Sequence, residues 1–464
     1  MNLILLSGGS GKRLWPLSND SRSKQFLKVL KNEHGIYESM VQRVWRQITS
    51  VELGSSTLIA TSKPQVDILH SQLGDEIEII VEPSRRDTFP AIALSASYLH
   101  SVKQVGEEEI IIVLPVDPFV EASFFTVFKQ LETALKTSQA DLALIGVVPT
   151  YPSEKYGYII PDPTLTEKKY LTVQSFKEKP NQAQARQFID QHALWNCGVF
   201  AFRLKYLLNH LSRHDYPTEY YELLQQYHDL PKISFDYEIA EKAEKVVALP
   251  YEGIWKDLGT WNTLTEEMNS PLLGKGWVGV DSNNTHVVNE LDIPIAVLGV
   301  PNVIVAASPD GILVADKEAS PKVKELVDFN SRPMYEERFW GWYKVVDYTK
   351  HEVEVLTRRI SMYAGKHLSY HFHKLRKEVW TVVSGQGETV IEGMRRSVRA
   401  GDVIEIAAGT RHALRAITDL EMIEVQHGTE LVESDVIRLL MDWETIMQQV
   451  LPDSLPKEAS GGLL

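Results

Sequence analysis

The chain has 464 residues, of which 44% are hydrophobic and 24% charged, and its formal net charge is −14. This length exceeds what one hydrophobic core supports, so two or three domains are expected. The negative charge argues against nonspecific nucleic-acid binding, and the single cysteine, Cys197, excludes an intrachain disulfide. With no leader and no apolar run of 18 residues, the sequence predicts no membrane span and favours a cytoplasmic enzyme. It leaves the oligomeric state open, with a homodimer as one candidate.

The first 268 residues alternate between apolar strands and helices. Helical spacing of apolar residues predicts one helix over 87–102, with Asp87 and Thr88 as candidate caps, and another over 124–138. This alternation predicts an α/β domain, with a Rossmann-like and mostly parallel sheet, over residues 1–268. Its strands are expected where short runs are continuously apolar, as is typical of strands covered on both faces: 3–7, 56–62, 77–83, 109–117 and 142–149.

The rest of the chain has a different pattern. Residues 269–332 predict a small β-rich segment and linker that includes a short helix over 320–329. Short strands separated by glycine turns predict an all-β barrel over 333–450. The sequence predicts a terminal helix over residues 433–450 and, after the barrel, a disordered tail over residues 451–464.

A glycine-rich loop follows the first strand, in the stretch LLSGGSGKRLWPLSNDSRSKQFL. A Walker A loop is excluded because Arg13, not Ser or Thr, follows Lys12, and a dinucleotide fingerprint from Gly9 fails because Leu14 replaces its last glycine. Glycines still let backbone amides approach an anion, and Arg13 and Lys24 can neutralise phosphate charge. The loop therefore favours phosphate binding, with a plain turn carrying solvated cations as the alternative.

Motifs along residues 1–330 resemble those of the sugar-nucleotide pyrophosphorylases, and most closely those of the mannose-1-phosphate guanylyltransferases. The loop matches G-G-x-G-x-R-L-x-P-L with a following lysine, and EPSRRDTFPAIAL resembles E-P-x-x-R-N-T-A-P-A-I. The chain carries Asp87, Phe89 and Pro118 where that branch has Asn, Ala and His. Further matches follow in order: VLPVD, GVVPTYPSEKYGYI, FKEKP, WNCGVF and WKDLGTW.

This resemblance implies transfer of GMP from GTP to mannose 1-phosphate, which yields GDP-mannose and pyrophosphate. It implies that Arg13 and Lys24 hold the nucleotide phosphates. It also implies that Asp117 and Asp257 bind Mg²⁺, although a lone Asp at a strand end is otherwise more often a turn cap. The position of Asp117 agrees, since ligands of open α/β sheets bind beyond the carboxyl ends of strands. The other implied contacts are to the nucleotide, by Gly8, Gly9, Gly11, Glu82 and Arg86, and to the sugar phosphate, by Gly157, Glu178, Lys179 and Asn196.

Two stretches near the C-terminus, GKHLSYHFHKLRKEVWTVVSG and GDVIEIAAGTRHALRA, resemble the two cupin motifs. His371 and His373 are two residues apart and point to one face of a strand. Together with Glu378 and His412 they form a ligand set for Zn²⁺ or another divalent first-row metal. A solvated histidine pair is the alternative for H-x-H alone.

A cupin behind this transferase resembles the bifunctional guanylyltransferase–phosphomannose isomerases. The resemblance implies interconversion of mannose 6-phosphate and fructose 6-phosphate, with a metal that polarises the sugar carbonyl and with Arg376 on the 6-phosphate. His371 stands where the family usually has Gln, and Val379 where it has His. Two alternatives remain open: a nucleotidyltransferase for another sugar 1-phosphate, such as a heptose, with a non-catalytic cupin, and a regulatory protein that binds a sugar nucleotide without turnover. The retained lysine and carboxylates of the first site favour an enzyme.

Overall fold

The computed structural model describes residues 1–9, 12–163, 170–327 and 332–449. The chain divides into two compact units, Met1–Phe329 and Asn330–Leu464. The predicted nucleotide contact Gly11 and the predicted tail lie outside the described residues. Across the described ranges, no helix is both long and apolar enough to cross a membrane.

Among its described residues, the first unit has nineteen strands, nine α-helices and a π-helical turn, Asp236–Ala240. The helices are α1 (Met40–Ser50), α2 (Val66–Leu73), α3 (Thr88–Ser101), α4 (Ser123–Ser138), α5 (Gln182–Asp190), α6 (Leu204–Arg213), α7 (Tyr220–Gln225), α8 (Trp261–Glu266) and α9 (Val323–Leu326). The strands are β1 (Asn2–Ser7), β2 (Leu30–Lys31), β3 (Tyr37–Glu38), β4 (Thr57–Ser62), β5 (Glu78–Glu82), β6 (Ile110–Pro115), β7 (Pro118–Val120), β8 (Leu142–Val147), β9 (Tyr158–Pro161), β10 (Leu171–Lys177), β11 (Leu194–Arg203), β12 (Val246–Tyr251), β13 (Trp255–Asp257), β14 (Leu272–Leu273), β15 (Gly276–Val278), β16 (His286–Asn289), β17 (Ile295–Val297), β18 (Val303–Ser308) and β19 (Gly311–Asp316).

A nine-stranded sheet organises this unit, in the order β5-β4-β1-β6-β11-β8-β12-β10-β9. All five predicted apolar runs form strands in it, and every residue of β4 and β8 is buried. Both predicted helices are present as α3 and α4. Apolar side chains from the helices pack on both faces of the sheet in two separate cores, and each fully buried Leu, Ile or Phe contributes about 1.5–3 kcal/mol.

The sheet is mostly parallel, as predicted, and only β10 and β11 run against the other strands. β11 lies between β6 and β8 and pairs antiparallel with both. Its register shifts between Asn196 and Phe200, where Gly198 has a φ of 76°. Only glycine adopts that backbone freely, so the irregularity is specified by the sequence and re-aims the strand end that carries Asn196.

Short parallel strands of the middle segment pack on the glycine-rich loop. β14, β16 and β18 form a parallel ladder that β19 closes antiparallel, and β15 pairs with β17. Val288 and Ile304 of the ladder share a core with Leu14, Leu17 and the fully buried Trp261. The predicted helix over 320–329 is shorter, a 3₁₀ turn followed by α9, and its last two residues lie outside the described part.

Polar contacts hold the same loop to the middle segment. The guanidinium of Arg22, which is almost fully buried, donates two hydrogen bonds of 2.8 Å to the Glu290 carboxylate. The hydroxyl of Ser308 donates to the Pro16 carbonyl at 2.6 Å. A Cβ at Gly311 would collide with the Trp15 ring. The loop that carries Arg13 and Lys24 is therefore fixed by residues 268 to 292 positions further along the chain.

The described part of the second unit is all-β apart from a short helix, α10 (Trp443–Gln448), and a 3₁₀ turn. Two sheets, β20-β21-β22-β29-β24-β27 and β26-β25-β28-β23-β30, pack over one core to which both contribute. Burial alternates along β29, the pattern of a strand with one face inward. The strands are β20 (Tyr335–Arg338), β21 (Gly341–Lys350), β22 (Glu354–Met362), β23 (Tyr370–Phe372), β24 (Arg376–Ser384), β25 (Gln386–Ile391), β26 (Met394–Arg399), β27 (Val403–Ile406), β28 (His412–Ala416), β29 (Leu420–Gly428) and β30 (Ile437–Leu440).

The predicted terminal helix over 433–450 is wrong for its first half. Residues 437–440 form β30, which pairs antiparallel with β23. The buried carboxylate of Asp435 accepts hydrogen bonds from the backbone amides of Lys374 and Leu375, which fixes the chain beside β23. The helix starts only after Asp442, whose side chain caps it by accepting from the backbone N–H of Thr445.

Candidate active sites

Two carboxylates and one ammonium group meet at the carboxyl edge of the nine-stranded sheet. β1 and β6 are parallel neighbours, so the loop after β1 and Asp117, two residues after β6, share this edge. Asp257 ends β13 and is paired with Pro118 in β7. The Nζ atom of Lys24 lies 2.7 Å from Oδ2 of Asp117 and 3.0 Å from Oδ1 of Asp257. The structure thus brings together three residues that the motifs singled out separately.

The charges of this cluster stabilise one another. Burial opposes the charge of Lys24, but the carboxylates of Asp117 and Asp257 outweigh it and raise the pKa of Lys24. Burial likewise opposes the charge of Asp257, and Lys24 with Arg13 lowers its pKa. Two carboxylates that converge on one cation suit Mg²⁺, which prefers oxygen ligands. All three side chains are a quarter to a third exposed, so the cluster is open to ligands.

The loop glycines face open space. A Cβ placed at Gly8 or Gly9 would meet no atom within 4 Å, and Gly9 has a φ of 135°. The Nε2 groups of Gln25 and Gln65, both buried, donate to the carbonyls of Gly8 and Gly9 at 3.4 and 3.3 Å. These glutamines support the loop from the protein side and leave its outer side to a ligand. Sequence reasoning missed both: Gln25 directly follows Lys24 in the quoted loop stretch but was given no role, and Gln65 stands in no motif.

The predicted sugar-phosphate residues also lie together. A Cβ at Gly157 would lie 2.5 Å from Oε2 of Glu178 and 3.3 Å from Cβ of Asn196. The backbone N–H of Asn196 donates to the Gly157 carbonyl at 2.8 Å. Oε1 of the buried Glu178 accepts from Nζ of Lys179 at 2.6 Å, whereas its Oε2 has no hydrogen-bond partner. A buried carboxylate oxygen without a donor is costly. A hydroxyl group of a bound sugar would satisfy it.

Asp236 belongs to this group although no motif indicated it. Its Oδ1 accepts from Nδ2 of Asn196 at 2.8 Å. Burial, followed by repulsion from Glu178, raises the pKa of Asp236 to about 7. Glu241, one residue after the π-helical turn, accepts from the backbone N–H of Glu178 at 2.8 Å. The only sequence signal was an acidic stretch, FDYEIAE, which resembles a solvated helix face.

Of the remaining nucleotide predictions, Glu82 ends β5 and Arg86 follows it at the same edge of the sheet. The Tyr227 hydroxyl donates to Oε2 of Glu82 at 2.6 Å, and burial raises the pKa of that carboxyl. Nε of Arg86 donates to the Leu230 carbonyl at 3.0 Å. Both side chains are thus held by residues 227–230, and their contact with a nucleotide stays a prediction.

Three histidines converge inside the second unit. His371 in β23 is paired with His412 in β28, and one ring nitrogen from each of His371, His373 and His412 lies within 4.8 Å of the other two. Each Nδ1 contacts a backbone carbonyl, which only accepts, so each Nδ1 carries the proton and each Nε2 keeps its lone pair. The carbonyls are those of Ser369, Asp435 and Thr410, at 2.7, 3.3 and 2.9 Å respectively.

The chemistry of this cluster fits a transition metal. Nε2 of the fully buried His412 has no hydrogen-bond partner. Burial lowers the pKa of His412 and takes that of His371 to about 3, so both rings are neutral, as metal ligands must be. Glu378 lies 3.2 Å from Nε2 of His373 and 3.7 Å from Nε2 of His412. The four predicted ligands are therefore together, with the orphaned nitrogen facing the carboxylate.

A buried hydrogen-bond network orients Glu378. Its carboxylate accepts from Nε of Arg376 at 3.1 Å, from Nε1 of Trp380 at 3.1 Å and from Nε2 of Gln426 at 3.3 Å. Arg376, buried against this candidate ligand, stays a prediction as a 6-phosphate contact. Gln426 was missed, although a polar residue on the inward face of the alternating strand β29, beside Glu424, was a signal.

Comparisons with known proteins find a family model for each part of the chain. The nucleotidyl transferase family model matches residues 2–272, the mannose-6-phosphate isomerase C-terminal model matches 330–441, and a MannoseP isomerase/GMP-like beta-helix model matches 275–329. The chain is 28% identical to a mannose-1-phosphate guanylyltransferase of Klebsiella pneumoniae, covering 94% of this chain and 98% of that one. It is 30% identical to the alginate biosynthesis protein AlgA of Pseudomonas aeruginosa, covering 94% and 95%.

A solved structure extends this likeness to three dimensions. The crystal structure named mannose-1-phosphate geranyltransferase, from Thermus thermophilus, superposes with a TM-score of 0.59 at 29% identity. It covers 70% of this chain and 97% of that chain.

Proposed function

This chain belongs to the nucleotidyl transferase family, and we propose that its first unit transfers GMP from GTP to mannose 1-phosphate, forming GDP-mannose and pyrophosphate. The observation that carries the proposal is the convergence of Lys24, Asp117 and Asp257 beside the open glycine loop. Relatives named for this activity match over nearly the whole chain, which supports mannose as the sugar. The cytoplasm, which supplies nucleoside triphosphates, is the compartment we propose.

The reaction joins two anions. A phosphate oxygen of mannose 1-phosphate attacks the α-phosphorus of GTP, and the bond from that phosphorus to the pyrophosphate oxygen breaks. Arg13 and Lys24 neutralise the phosphates, and the Lys24 ammonium lies beside the carboxylates of Asp117 and Asp257. Asp117 and Asp257 would hold Mg²⁺, which when bound supplies charge neutralisation at the transferring group.

The residues around Glu178 and Asn196 orient the sugar phosphate. Oε2 of Glu178 accepts a hydrogen bond from a sugar hydroxyl, and Asn196, braced by Asp236, contacts a neighbouring hydroxyl. The ammonium of Lys179, about half exposed, neutralises the sugar phosphate. Gly157 lets the Glu178 carboxylate and the Phe176 ring pack directly against its backbone, where a Cβ would collide with both. These contacts hold the attacking oxygen in line with the leaving group.

We infer a second activity in the second unit, the interconversion of mannose 6-phosphate and fructose 6-phosphate. The orphaned Nε2 of His412, buried beside Glu378, carries this inference. His371, His373, Glu378 and His412 would hold a divalent transition metal, which when bound polarises a sugar carbonyl. Arg376 and Gln426 keep the Glu378 carboxylate aimed at the cluster.

Pyrophosphate release with Mg²⁺ tests the transferase. GTP with mannose 1-phosphate is expected to be the best pair, ahead of ATP or UTP and of heptose 1-phosphate. Asp257→Asn is expected to lower kcat at least about a hundredfold, because it removes charge needed at the transferring phosphoryl group. The matched control, Asp281→Asn, changes an exposed Asp of the same unit and should leave kcat unchanged. Near-normal turnover of Asp257→Asn would refute the site.

A further inference from the structure

A second group of metal-ligating side chains lies in the first unit, apart from the residues that the proposed reactions use. His210 lies in the last turn of α6, and His214 follows four residues later as its C-cap. Glu238 belongs to the π-helical turn. One ligating atom of each residue lies within 4.8 Å of the other two. No motif in the sequence indicated this juxtaposition.

The helix places the two imidazoles side by side. Residues four apart lie on the same face of a helix, and the ring centroids of His210 and His214 are 4.4 Å apart with a tilt of 36°. Nδ1 of His214 lies 2.9 Å from the carbonyl of His210. Because a carbonyl only accepts, Nδ1 carries the proton, and Nε2 of His214 keeps its lone pair for a metal.

Glu238 presents one oxygen to the imidazoles. Its Oε1 lies 3.1 Å from Nε2 of His210, and its Oε2 accepts from Nζ of Lys242 at 2.8 Å. The Phe89 ring meets the His210 ring edge-on at 5.6 Å.

We propose that His210, His214 and Glu238 bind one divalent first-row transition-metal ion, with Zn²⁺ the best match. Two imidazoles and one carboxylate are a known zinc ligand set, which leaves a fourth position for water. Two histidines spaced i, i+4 on one helix are a recurring way to hold that ion. When the ion takes the place of the Nε2 proton that His210 shares with Glu238, that proton moves through solvent to Nδ1, so the ring stays a neutral imidazole bound through Nε2.

The ion would connect α6 to the turn behind the sugar-phosphate residues. That turn begins with Asp236, which accepts from Asn196, and is followed by Glu241, which accepts from the Glu178 backbone. Bound Zn²⁺ therefore restrains the backbone over 236–241. Slower hydrogen exchange of these amides is the direct consequence, and it is measured without any turnover.

The test uses the full chain and Zn²⁺ alone, by equilibrium dialysis, with Co²⁺ absorption as a spectroscopic probe. His412→Ala serves as the background, because it removes the candidate metal site of the second unit. In this background we expect about one ion per chain. Adding His214→Ala should weaken binding at least about tenfold, as loss of a ligand does, whereas adding His228→Ala, an exposed histidine of the same unit, should not.

Two further measurements test the same metal site in the wild-type chain. With the second unit left as wild type, Zn²⁺ content should differ between the wild-type chain and His214→Ala by one ion per chain. Zn²⁺ should slow exchange over 236–241 in wild type and not in His214→Ala. Equal Zn²⁺ binding with and without His214, or unchanged exchange in the wild type, overturns the proposal. Neither readout involves GTP or mannose 1-phosphate, so the outcome is independent of the proposed transferase activity.

Discussion

Gly157 offers a sharp steric test of the sugar site. An added Cβ would lie 2.5 Å from Oε2 of Glu178 and 2.8 Å from Cζ of Phe176, both closer than real Cβ contacts allow. Phe176 and Glu178 are buried, so relief requires one of them to leave its place. Overpacking of this kind costs about 1–3 kcal/mol. If the cost falls on the sugar complex, Gly157→Ala weakens binding of mannose 1-phosphate about 5- to 150-fold.

Steady-state kinetics with each substrate varied in turn separates this effect from general damage. We expect KM for mannose 1-phosphate to rise and KM for GTP to change little, since the glycine loop and Lys24 are untouched. Gly106→Ala is the matched control, because a Cβ there approaches no atom closer than 4.0 Å. An unchanged KM for the sugar phosphate in Gly157→Ala, with the fold intact by circular dichroism, would show that Glu178 does not contact the sugar.

Three further changes test other parts of the molecule. Glu290→Gln removes the charge that pairs with buried Arg22 and should lower the unfolding free energy by about 1.5–3 kcal/mol, measured by urea denaturation. It should also raise KM for GTP, because the glycine-rich loop is displaced. An unaffected KM would contradict the loop's dependence on the middle segment. The pKa of Asp236 is raised from 3.8 to about 7 in the folded state. Its protonated form therefore adds to the free energy of unfolding in full below pH 3.8, and this contribution is lost as pH rises to about 7. Asp236→Asn should therefore flatten the loss of stability over that range, and an identical pH profile would contradict the assignment. His412→Ala should lose the transition metal and the isomerase activity while keeping GMP transfer, measured by metal analysis and coupled assays; retained metal would refute the ligand set.

The first site was predictable because its residues stand at the ends of strands. Asp117 follows a strand whose continuous apolar run identified it as central, and the glycine loop follows a parallel neighbour, so the topology alone places them at one edge. Asp257 is different. Nothing local indicates that β13 pairs with β7, and only the family resemblance connected WKDLG with the loop.

Residues that act through tertiary contacts escaped prediction. Asp236 and Gln65 are defined by partners far away in the chain, and their own neighbourhoods show no distinctive pattern. The error over 433–450 has the same origin. One helix was predicted there, but pairing with β23 and the carboxylate of Asp435 hold its first half in an extended conformation.

The contacts between the glycine loop and the middle segment bear on how this enzyme can be cut and recombined. A transferase truncated after residue 268 would keep every residue assigned to nucleotide and sugar, yet it would leave Arg22 as a buried cation without Glu290 and would strip the cover from Trp261 and Leu14. Modular exchange of the catalytic portion between such enzymes must therefore carry the β-rich ladder along. Residues 1–327, rather than the α/β sheet alone, are the smallest transplantable part.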